Sequence, residues 1–519
     1  MPRLSSHVLR WSLLAAALWG PLAAIQAGVA AEPSRPFLEG LRRRGLDDVA
    51  LDYLERMRNS PAAAAEFRET IDYQKALILQ SQPGTAAEHE QRLAEAQACL
   101  IAFLQGHPKH PLAATAQAQL GKLLIDRGRA RAQPAGVAHN AQGETPAGLR
   151  QGRLLFQQAE QALAEADRRF DEIQQRLSHP RERPRPEDAV SRDAARRQLL
   201  EIRLARAALD CEMAQTYPAG SRERRESLAA AAAKYHEMYQ RHPQLLAGLY
   251  ARLGEARCYQ ELGDTARAVA AAEDLLAEPD NPPAFGLLRS QALDLLIQTA
   301  EHLAASQGAV ADDRQHGQSA QRDRLGQAAA IYRRILDRAG QDPGFAPSAE
   351  ALTAVRLRFA RTLRRLGEYP AAIQQLTEIL GTDETRVDAQ VEAAYTYQAW
   401  GATVPDHYLT AIHGSGGPAG GKRSPAGPFW GWAGIAKMAA GRAADGPLFH
   451  EARYNLAWCR CQYALGRPAS ERGALLDQAE NDIAAARQSC PAMAGPEWSA
   501  RYDELRKQIQ QHRGPTPGR

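Results

Sequence analysis

The segment LGEYPAAIQQLTEIL at 366–380 contains the pattern that decides the fold. Gly367 is followed five residues later by the small Ala372, and the apolar side chains beyond Ala372 recur at three- and four-residue spacing. Such spacing places these side chains on one face of a helix. A glycine ahead of the stripe suits the end of a preceding helix, where the backbone needs a positive φ. The segment therefore predicts two antiparallel helices joined by a tight turn.

The same spacing of glycine and alanine occurs twice more in the chain. Gly263 precedes Ala268 and Gly45 precedes Ala50, each by five residues, and apolar residues follow at matching offsets. The small alanine would let the second helix approach the first closely, and the apolar residues after it would be buried between them. Three matches to one template predict that the helix pair is repeated along the chain.

The distance between successive glycines indicates the period of the repeat. Gly401 lies 34 residues after Gly367, and both follow an apolar stripe at helical spacing. Together with the glycine–alanine template, this period resembles the tetratricopeptide repeat (TPR). The turns LQGHP at 104–108 and YQRHP at 239–243 are similar to those of exported bacterial members of this family, which serve in outer-membrane assembly and cell-envelope coordination. The resemblance covers most of 35–510 and implies an all-α fold of antiparallel helix pairs stacked as a right-handed solenoid.

Stretches rich in Gly, Pro, Ser, Gln or charge divide the helical pattern into segments. A long helix over 155–177 either forms a short coiled-coil arm or packs on its neighbours. The predicted organisation is a signal peptide at 1–31, N-terminal helical repeats at 35–128, a flexible linker at 129–150, helical repeats with long helices at 151–304, a linker at 305–322, a TPR pair at 323–412, a Gly/Pro-rich loop at 413–428, C-terminal repeats with a capping helix at 429–512 and a tail at 513–519.

The capping helix is predicted from a single apolar stripe near the C-terminus. Trp498, Tyr502, Leu505 and Ile509 are spaced by four, three and four residues, and charged residues occupy the opposite side. An array of helical repeats needs a terminal helix whose outer face is polar and exposed to solvent.

The N-terminal residues have the order of a secretory signal. Basic residues precede the apolar run WSLLAAALWGPLAAI at 11–25, and small residues follow it. This order predicts export with cleavage after Ala31, or, as the second choice, after Ala27. The alternative is an uncleaved membrane anchor over 11–31, which is long enough to span a bilayer. Either outcome predicts a periplasmic or cell-envelope location.

The stretch GSGGPAGGKRS at 414–424 contains the spacing G-x-x-x-x-G-K from Gly416 to Lys422. A phosphate-binding loop needs a strand before it, a helix directly after the lysine and a Ser or Thr beside that lysine. Here Arg423 follows the lysine, and two prolines stand where the helix would begin. The stretch therefore favours a flexible loop over a nucleotide site, and no cofactor is predicted.

The cysteines and histidines do not match a metal-ligand pattern. Cys459 and Cys461 are two residues apart, so on one helix they point to different faces. The spacing leaves open a disulfide from either of them to Cys490. His107 and His110 stand in an HPKHP turn without a Cys, Asp or Glu at ligand spacing. A turn role is therefore predicted for the histidines, and no metal site.

Aromatic residues gather in the C-terminal third of the chain. Four of the seven tryptophans lie between positions 400 and 458. If the chain has a partner surface, we expect it near Trp400, Phe429, Trp430 and Trp432, because aromatic side chains anchor protein interfaces. The alternative is that these side chains pack the interior where the repeats deviate from regular spacing.

The charge balance and the absence of recognisable motifs limit the classes of function that the sequence predicts. Lys and Arg outnumber Asp and Glu by 64 to 60, and this near balance predicts no nucleic-acid partner. No sequence order of nucleophile and base is recognisable, so the chain is predicted to be non-enzymatic. We expect a scaffold or adaptor of the bacterial cell envelope that binds a peptide segment or a protein in a TPR-type groove. The alternatives are a self-associating structural component of the envelope, or an enzyme or nucleotide-binding protein that uses 416–422.

Overall fold

A computed structural model describes part of the chain: residues 33–132, 146–178, 192–278, 284–305, 314–342, 345, 348–415, 429–440, 446–489 and 495–513. These residues form 21 α-helices and no strand, so the all-α prediction is confirmed. The predicted signal peptide, the stretch 416–428 and Cys490 lie outside the described residues. None of the described helices combines the length and the apolar character required to cross a bilayer.

The chain divides into two compact units. Unit 1 consists of Met1–Pro134 with Gln157–Ala195, and unit 2 consists of Ala135–Phe156 with Arg196–Arg519. The helices of unit 1 are α1 (Ser34–Arg43), α2 (Asp47–Arg58), α3 (Ala65–Glu69), α4 (Ile71–Ser81), α5 (Ala86–Gly106), α6 (Ala113–Ala132) and most of α7 (Ala147–Ser178).

Unit 2 contains the longer series of helices. These are most of α8 (Arg192–Gln215), α9 (Arg222–Arg241), α10 (Leu246–Leu262), α11 (Thr265–Ala277), α12 (Ala284–Ala305), α13 (Arg314–Gln341), α14 (Ala349–Leu366), α15 (Tyr369–Thr382), α16 (Val387–Gly401), α17 (His407–His413), α18 (Gly431–Ala439), α19 (Gly446–Leu465), α20 (Ala469–Ser489) and α21 (Gly495–Arg513). From α9 onward each helix packs on the next one in the chain. One hydrophobic core runs through the unit from Leu249 to Tyr463. The packing is that of TPR-like helical repeats.

The turn between paired helices has the same backbone geometry in the two repeats of unit 2 that match the template best. Gly263 and Gly367 have φ of +79° and +83°, in the left-handed region that glycine adopts without strain. The Gly367 N–H donates to the Arg364 carbonyl at 3.1 Å, and the next N–H donates to the Leu363 carbonyl at 2.9 Å. This pair of bonds is the Schellman arrangement, which satisfies carbonyls at the end of a helix. Five residues later, Ala268 and Ala372 are each 0% exposed.

The first template match, in unit 1, has the same turn. Gly45 has φ of +69°, and its N–H donates to the Arg42 carbonyl at 3.0 Å. Ala50 is buried against the core that α1, α2 and α4 share. The glycine–alanine template is therefore confirmed in three places, two of them in unit 2 and one in unit 1.

Gly401 has a different role from the other template glycines. It is the last residue of α16, and its backbone is not in the left-handed region. A Cβ at this position would come within 2.5 Å of the Tyr408 ring on α17. The expectation that Gly401 caps the helix through a positive φ is therefore wrong, because the glycine is needed for close packing of a ring. Gly254 makes room for Tyr235 in the same way.

The segment boundaries differ from the prediction at several points. Helix α13 begins at Arg314, inside the stretch 305–322 that the composition assigned to a linker. Gln, Ser and Arg are acceptable helix formers, so the polar composition of that stretch did not exclude a helix. Similarly, α6 continues to Ala132, and α7 begins at Ala147 within the predicted linker at 129–150.

Helix α7 packs rather than standing alone as a coiled-coil arm. Ala159, Ala162, Ala166 and Phe170 are buried along one face of the helix. Within unit 1, Leu163 lies so close to Gly121 on α6 that a Cβ on this glycine would meet the leucine at 2.5 Å. The alternative of a packed repeat helix is therefore the one observed.

The C-terminal helix closes the core as the sequence predicted. Tyr502, Leu505 and Ile509 are at most 1% exposed and pack on α20, while Trp498 is partly buried beside them. Arg501, Glu504 and Lys507 on the other side are exposed.

The glycine turn gives the first testable prediction. Gly367→Ala should lower the free energy of unfolding by about 1–2 kcal/mol, because alanine strains in the left-handed region. The control is Gly326→Ala, at an exposed position inside α13 where an added Cβ meets nothing within 4 Å. This control should raise the free energy of unfolding by about 0.5–1 kcal/mol. Urea unfolding followed by circular dichroism measures both, and equal effects of the two substitutions would contradict the turn geometry.

Candidate binding face and aromatic cluster

The first helices of successive pairs in unit 2 lie side by side. Helix α10 contacts α12, α12 contacts α14, and α14 contacts α16, in addition to the contacts that each makes with its own partner. One side of α10, α12 and α14 carries polar side chains outside the core. We call this side the first-helix face and define it by Arg257, Asp294, Gln298, Glu301, Arg358, Arg361 and Arg365, all of them exposed or half-exposed.

Ion pairs connect neighbouring helices across the first-helix face. Arg358 on α14 pairs with Glu301 on α12. Arg361 and Arg364 on α14 both donate to Glu392 on α16, at 3.3 Å and 2.6 Å. The Glu392 side chain is 5% exposed, whereas that of Arg361 is 51% exposed. The buried carboxylate is thus neutralised by two guanidinium groups, one of which also faces solvent.

A polar recess of about 300 Å³ opens between α10 and α12 on this face. It is lined by Arg257, Gln260, Glu261, Gln291, Asp294, Leu295 and Gln298. Pockets for small ligands are mostly apolar with a few polar groups, and this recess has the opposite character. Its lining offers amide and carboxylate groups as hydrogen-bond partners.

A second recess lies among α11, α12 and α13. It has a volume of about 340 Å³ and is lined by Glu273, Leu276, Leu296, Arg334, Ile335, Asp337, Arg338, Gln341 and Phe345. The ion pair from Arg334 to Glu273 at 3.0 Å joins α13 to α11 at its edge.

The predicted aromatic surface is divided between interior and solvent. Trp432 is 0% exposed and Phe429 is 5% exposed, so neither side chain is available to a partner. Including these two residues in a partner surface was wrong, because both fill the core beside α16. Trp400 and Trp430 are half-buried and remain candidates. The alternative prediction of interior packing thus holds for half of the set.

Trp400 belongs to a stack of rings at the end of α16. Its ring lies 3.8 Å from that of His407, with 27° between the planes, and 6.0 Å from that of Tyr369. Burial lowers the pKa of His407, and the nearby Asp406 opposes that change. The lowered pKa favours the neutral form of the imidazole that stacks on Trp400.

Trp432 is connected to two other helices through the side-chain amides of Gln398 and Asn455. Its indole N–H donates to the Gln398 side-chain carbonyl at 2.9 Å, and the Gln398 amide N–H donates to Asn455 at 3.2 Å. The amide of Asn455 donates in turn to the Glu451 backbone carbonyl at 2.9 Å. Because buried polar groups are costly without partners, this chain of bonds fixes the relative positions of α16, α18 and α19.

Tyr395 completes the same group of residues. Its hydroxyl donates to the Glu451 carboxylate, and its ring meets Trp432 edge-on at 4.8 Å. Burial raises the pKa of Tyr395, and the hydrogen bond to Glu451 raises it further. The guanidinium of Arg364 lies 5.5 Å from the ring centre. Tyr395 therefore joins the aromatic interior to the ion pairs of the first-helix face.

Trp430 is held through its backbone. The Trp430 N–H donates to the side-chain oxygen of Gln390 at 2.9 Å, and the Gln390 amide donates to the Glu384 carbonyl at 2.9 Å. Gln390 is 0% exposed although it is polar. It anchors the first described residues after 416–428 to the start of α16.

Cys459, Cys461 and the turn histidine His110 occupy structural positions. Cys459 packs in the long core of unit 2 and Cys461 in the C-terminal core, which confirms that they point to different faces. Burial raises the pKa of Cys459. In unit 1, His110 accepts a hydrogen bond from the Leu112 N–H at 3.0 Å, as a turn residue does. Among the described residues, no group of three or more His, Cys, Asp and Glu side chains could hold a metal ion.

Sequence reasoning missed the amides that position the aromatic residues, and it missed one cysteine pair. Gln390, Gln398 and Asn455 are polar residues inside apolar helical stretches, and in such stretches a polar residue is equally compatible with solvent. The Asn455 position, between Tyr454 and Leu456, was the available signal. The proximity of Cys211 to Cys258, described below, had no signal in the spacing.

Comparison with known proteins gives no family. No protein-family model matches the chain, and no curated protein does. Solved structures similar to it include IFIT1 with Gppp-AAAA (12% identity, 92% of this chain and 90% of that chain, TM-score 0.26), the TPR domain of P58(IPK) (14%, 93% and 99%, 0.21) and yeast Tom70 (11%, 93% and 96%, 0.16). At these scores the fold assignment rests on the helix contacts and turns described above.

The different burial of the tryptophans gives the second prediction. Trp432→Ala should lower the free energy of unfolding by about 3–5 kcal/mol, because it opens a cavity and leaves the Gln398 oxygen without the indole donor. Trp400→Ala should cost about 1–2 kcal/mol, since part of that ring is already in solvent. Urea unfolding of both variants makes the comparison. Equal losses of unfolding free energy in the two variants would contradict the conclusion that Trp432 is buried and Trp400 is half-exposed.

Proposed function

We propose that this protein is a non-enzymatic interaction scaffold that binds a peptide segment of a partner protein on the first-helix face of unit 2. The observation that carries the proposal is that face itself. Helices α10, α12 and α14 present exposed charged side chains and a polar recess there, while their other sides pack into one continuous core. Stacked helical repeats use such extended surfaces for binding.

The charges of the face suggest the chemistry of the segment. Arg361 and Arg365 stand one turn apart on α14, and both are exposed. The Arg365 guanidinium also donates to the Ala304 carbonyl at the end of α12, which fixes the position of this charged group beside α12. Guanidinium groups bind carboxylates well. We therefore assign an acidic side chain or a C-terminal carboxylate of the partner to this position, with the peptide backbone running toward the recess at Asp294.

Trp400 and Trp430 would extend the contact. Each is half-buried, so each combines a fixed ring with accessible area, as interface anchors do. A partner that reaches from the arginines of α14 to the end of α16 would meet Trp400.

The setting that we propose for this activity is the bacterial cell envelope. Support comes from the order of residues 1–31, with a basic start, an apolar run and small residues before Ala31. We propose export and cleavage at that point, with retention as an anchor over 11–31 as the alternative.

Capture from intact cells tests the function. A C-terminally tagged full-length chain is crosslinked and purified, and bait and prey are identified by mass spectrometry, which also reads the mature N-terminus of the bait. We expect one partner protein in near-equal amount. Arg365→Glu should reduce its recovery about tenfold, because the reversed charge repels the partner's carboxylate, equivalent to about 1.4 kcal/mol.

The matched control is Arg338→Glu. Arg338 is also an exposed arginine in the last turn of its helix, α13, but it lines the other recess. Both reversals therefore change the helix dipole interaction alike. Recovery that falls equally in both variants would contradict the assigned face. Recovery of the bait alone, as a defined oligomer, would favour a self-associating structural component instead.

A further inference from the structure

Cys211 on α8 and Cys258 on α10 bring their sulfur atoms to 3.3 Å. The two residues are 47 positions apart, so the fold alone brings them together. Both are free thiols; Cys258 is 1% exposed and Cys211 is half-buried. This pair is distinct from the cysteines that the sequence singled out.

The surrounding helices hold the two sulfurs in place. Ala207 on α8, Ala232 and Tyr235 on α9, and Ala251 on α10 form one buried cluster with Cys258, and Cys211 packs against it. The sulfurs of a disulfide are about 2.0 Å apart, so a bond requires an approach of about 1.3 Å. Small rotations of the two cysteine side chains supply displacements of this size.

A polar contact one turn away ties the same helices together. Gln215 on α8 donates to Glu261 on α10 at 2.9 Å, and Arg224 on α9 pairs with Glu261 at 2.9 Å. Since these bonds already fix the ends of the helices, a covalent bond at the cysteines joins positions that hardly need to move.

We propose that Cys211 and Cys258 form a reversible disulfide by exchange with a small disulfide oxidant, and that this bond links α8 to α10. The Cys211 thiolate attacks one sulfur of the oxidant, forming a mixed disulfide and releasing one thiolate. The Cys258 thiolate then attacks the Cys211 sulfur, forms the protein disulfide and releases the second thiolate. The two protein thiols lose two protons and two electrons, and the oxidant is reduced to two thiols.

Accessibility determines the order of these steps. Cys211 is the half-buried member of the pair, so an oxidant reaches it first, whereas Cys258 can react only with a sulfur already attached at Cys211. The proposal does not depend on the partner-binding function. Export to an oxidising compartment, as proposed above, would favour the bonded form.

Oxidised glutathione is the probe. The full-length protein is incubated with it, denatured under non-reducing conditions, and its thiols are counted with a maleimide reagent. We expect the count to fall by two from the six cysteines of the chain, and peptide mapping to identify Cys211 joined to Cys258. Oxidation should raise Tm by about 5 °C, reversibly with a dithiol reductant.

Two variants separate the steps. Cys258→Ser should retain a stable glutathione adduct on Cys211, because the second thiolate is missing. Cys211→Ser should acquire no adduct at Cys258, which remains buried. A wild-type protein that keeps all six thiols would overturn the proposal. So would a wild-type protein that accumulates the Cys211 adduct, or one whose only bridge maps to Cys490.

Discussion

The close contact of two helices at a buried alanine is the constraint on which the rest of unit 2 depends. Gly367 turns the chain without strain, and its N–H and the next one satisfy the carbonyls of the helix that ends there. Ala372, five residues later, has no exposed area and keeps α15 close to α14. A larger side chain at this point would separate the helices. The same turn at Gly263 and its buried Ala268 set α10 against α11.

Close pairing determines which surfaces remain for function. The second helix of each pair covers one side of the first helix. Neighbouring first helices also pack on one another and bury a second side, so the remaining exposed side of each first helix is polar. The ion pairs from α14 to Glu301 and to Glu392 lie along this side. Toward the C-terminus the repeats lose their regular spacing, and the amides of Gln398 and Asn455 add hydrogen bonds to the apolar packing that positions Trp432. The first-helix face and the aromatic interior are therefore two consequences of one packing scheme.

The helix pairs and the C-terminal helix could be predicted from the sequence, because local conformation and periodicity determine them. The template at Gly45, Gly263 and Gly367 could be recognised because a positive φ favours glycine and close helix packing favours alanine. Helix α21 could be recognised because its apolar residues recur at helical spacing on one face and its opposite face is polar. Gly401 was misread because a glycine that admits a neighbouring ring and a glycine that caps a helix look alike in sequence.

The aromatic cluster could be located but not sorted into interior and surface. Trp400 and Trp432 occupy similar contexts, and only the positions of α16, α18 and α19 decide that one is half-exposed and the other buried. The contact of Cys211 with Cys258 was unpredictable for a related reason, since the two residues are 47 positions apart and lie on different helices. Contacts of this kind depend on tertiary packing, and the local spacing of residues in the sequence gives no information about it.

Hydroxyl-radical oxidation of the native full-length protein, quantified by peptide mass spectrometry, tests this division between interior and surface side chains most directly. The account predicts that Trp400 is oxidised in the folded protein while Trp432 and Tyr332, both at most 1% exposed, are protected, and that all three react after denaturation. Oxidation of Trp432 in the folded protein at the rate of Trp400 would contradict it.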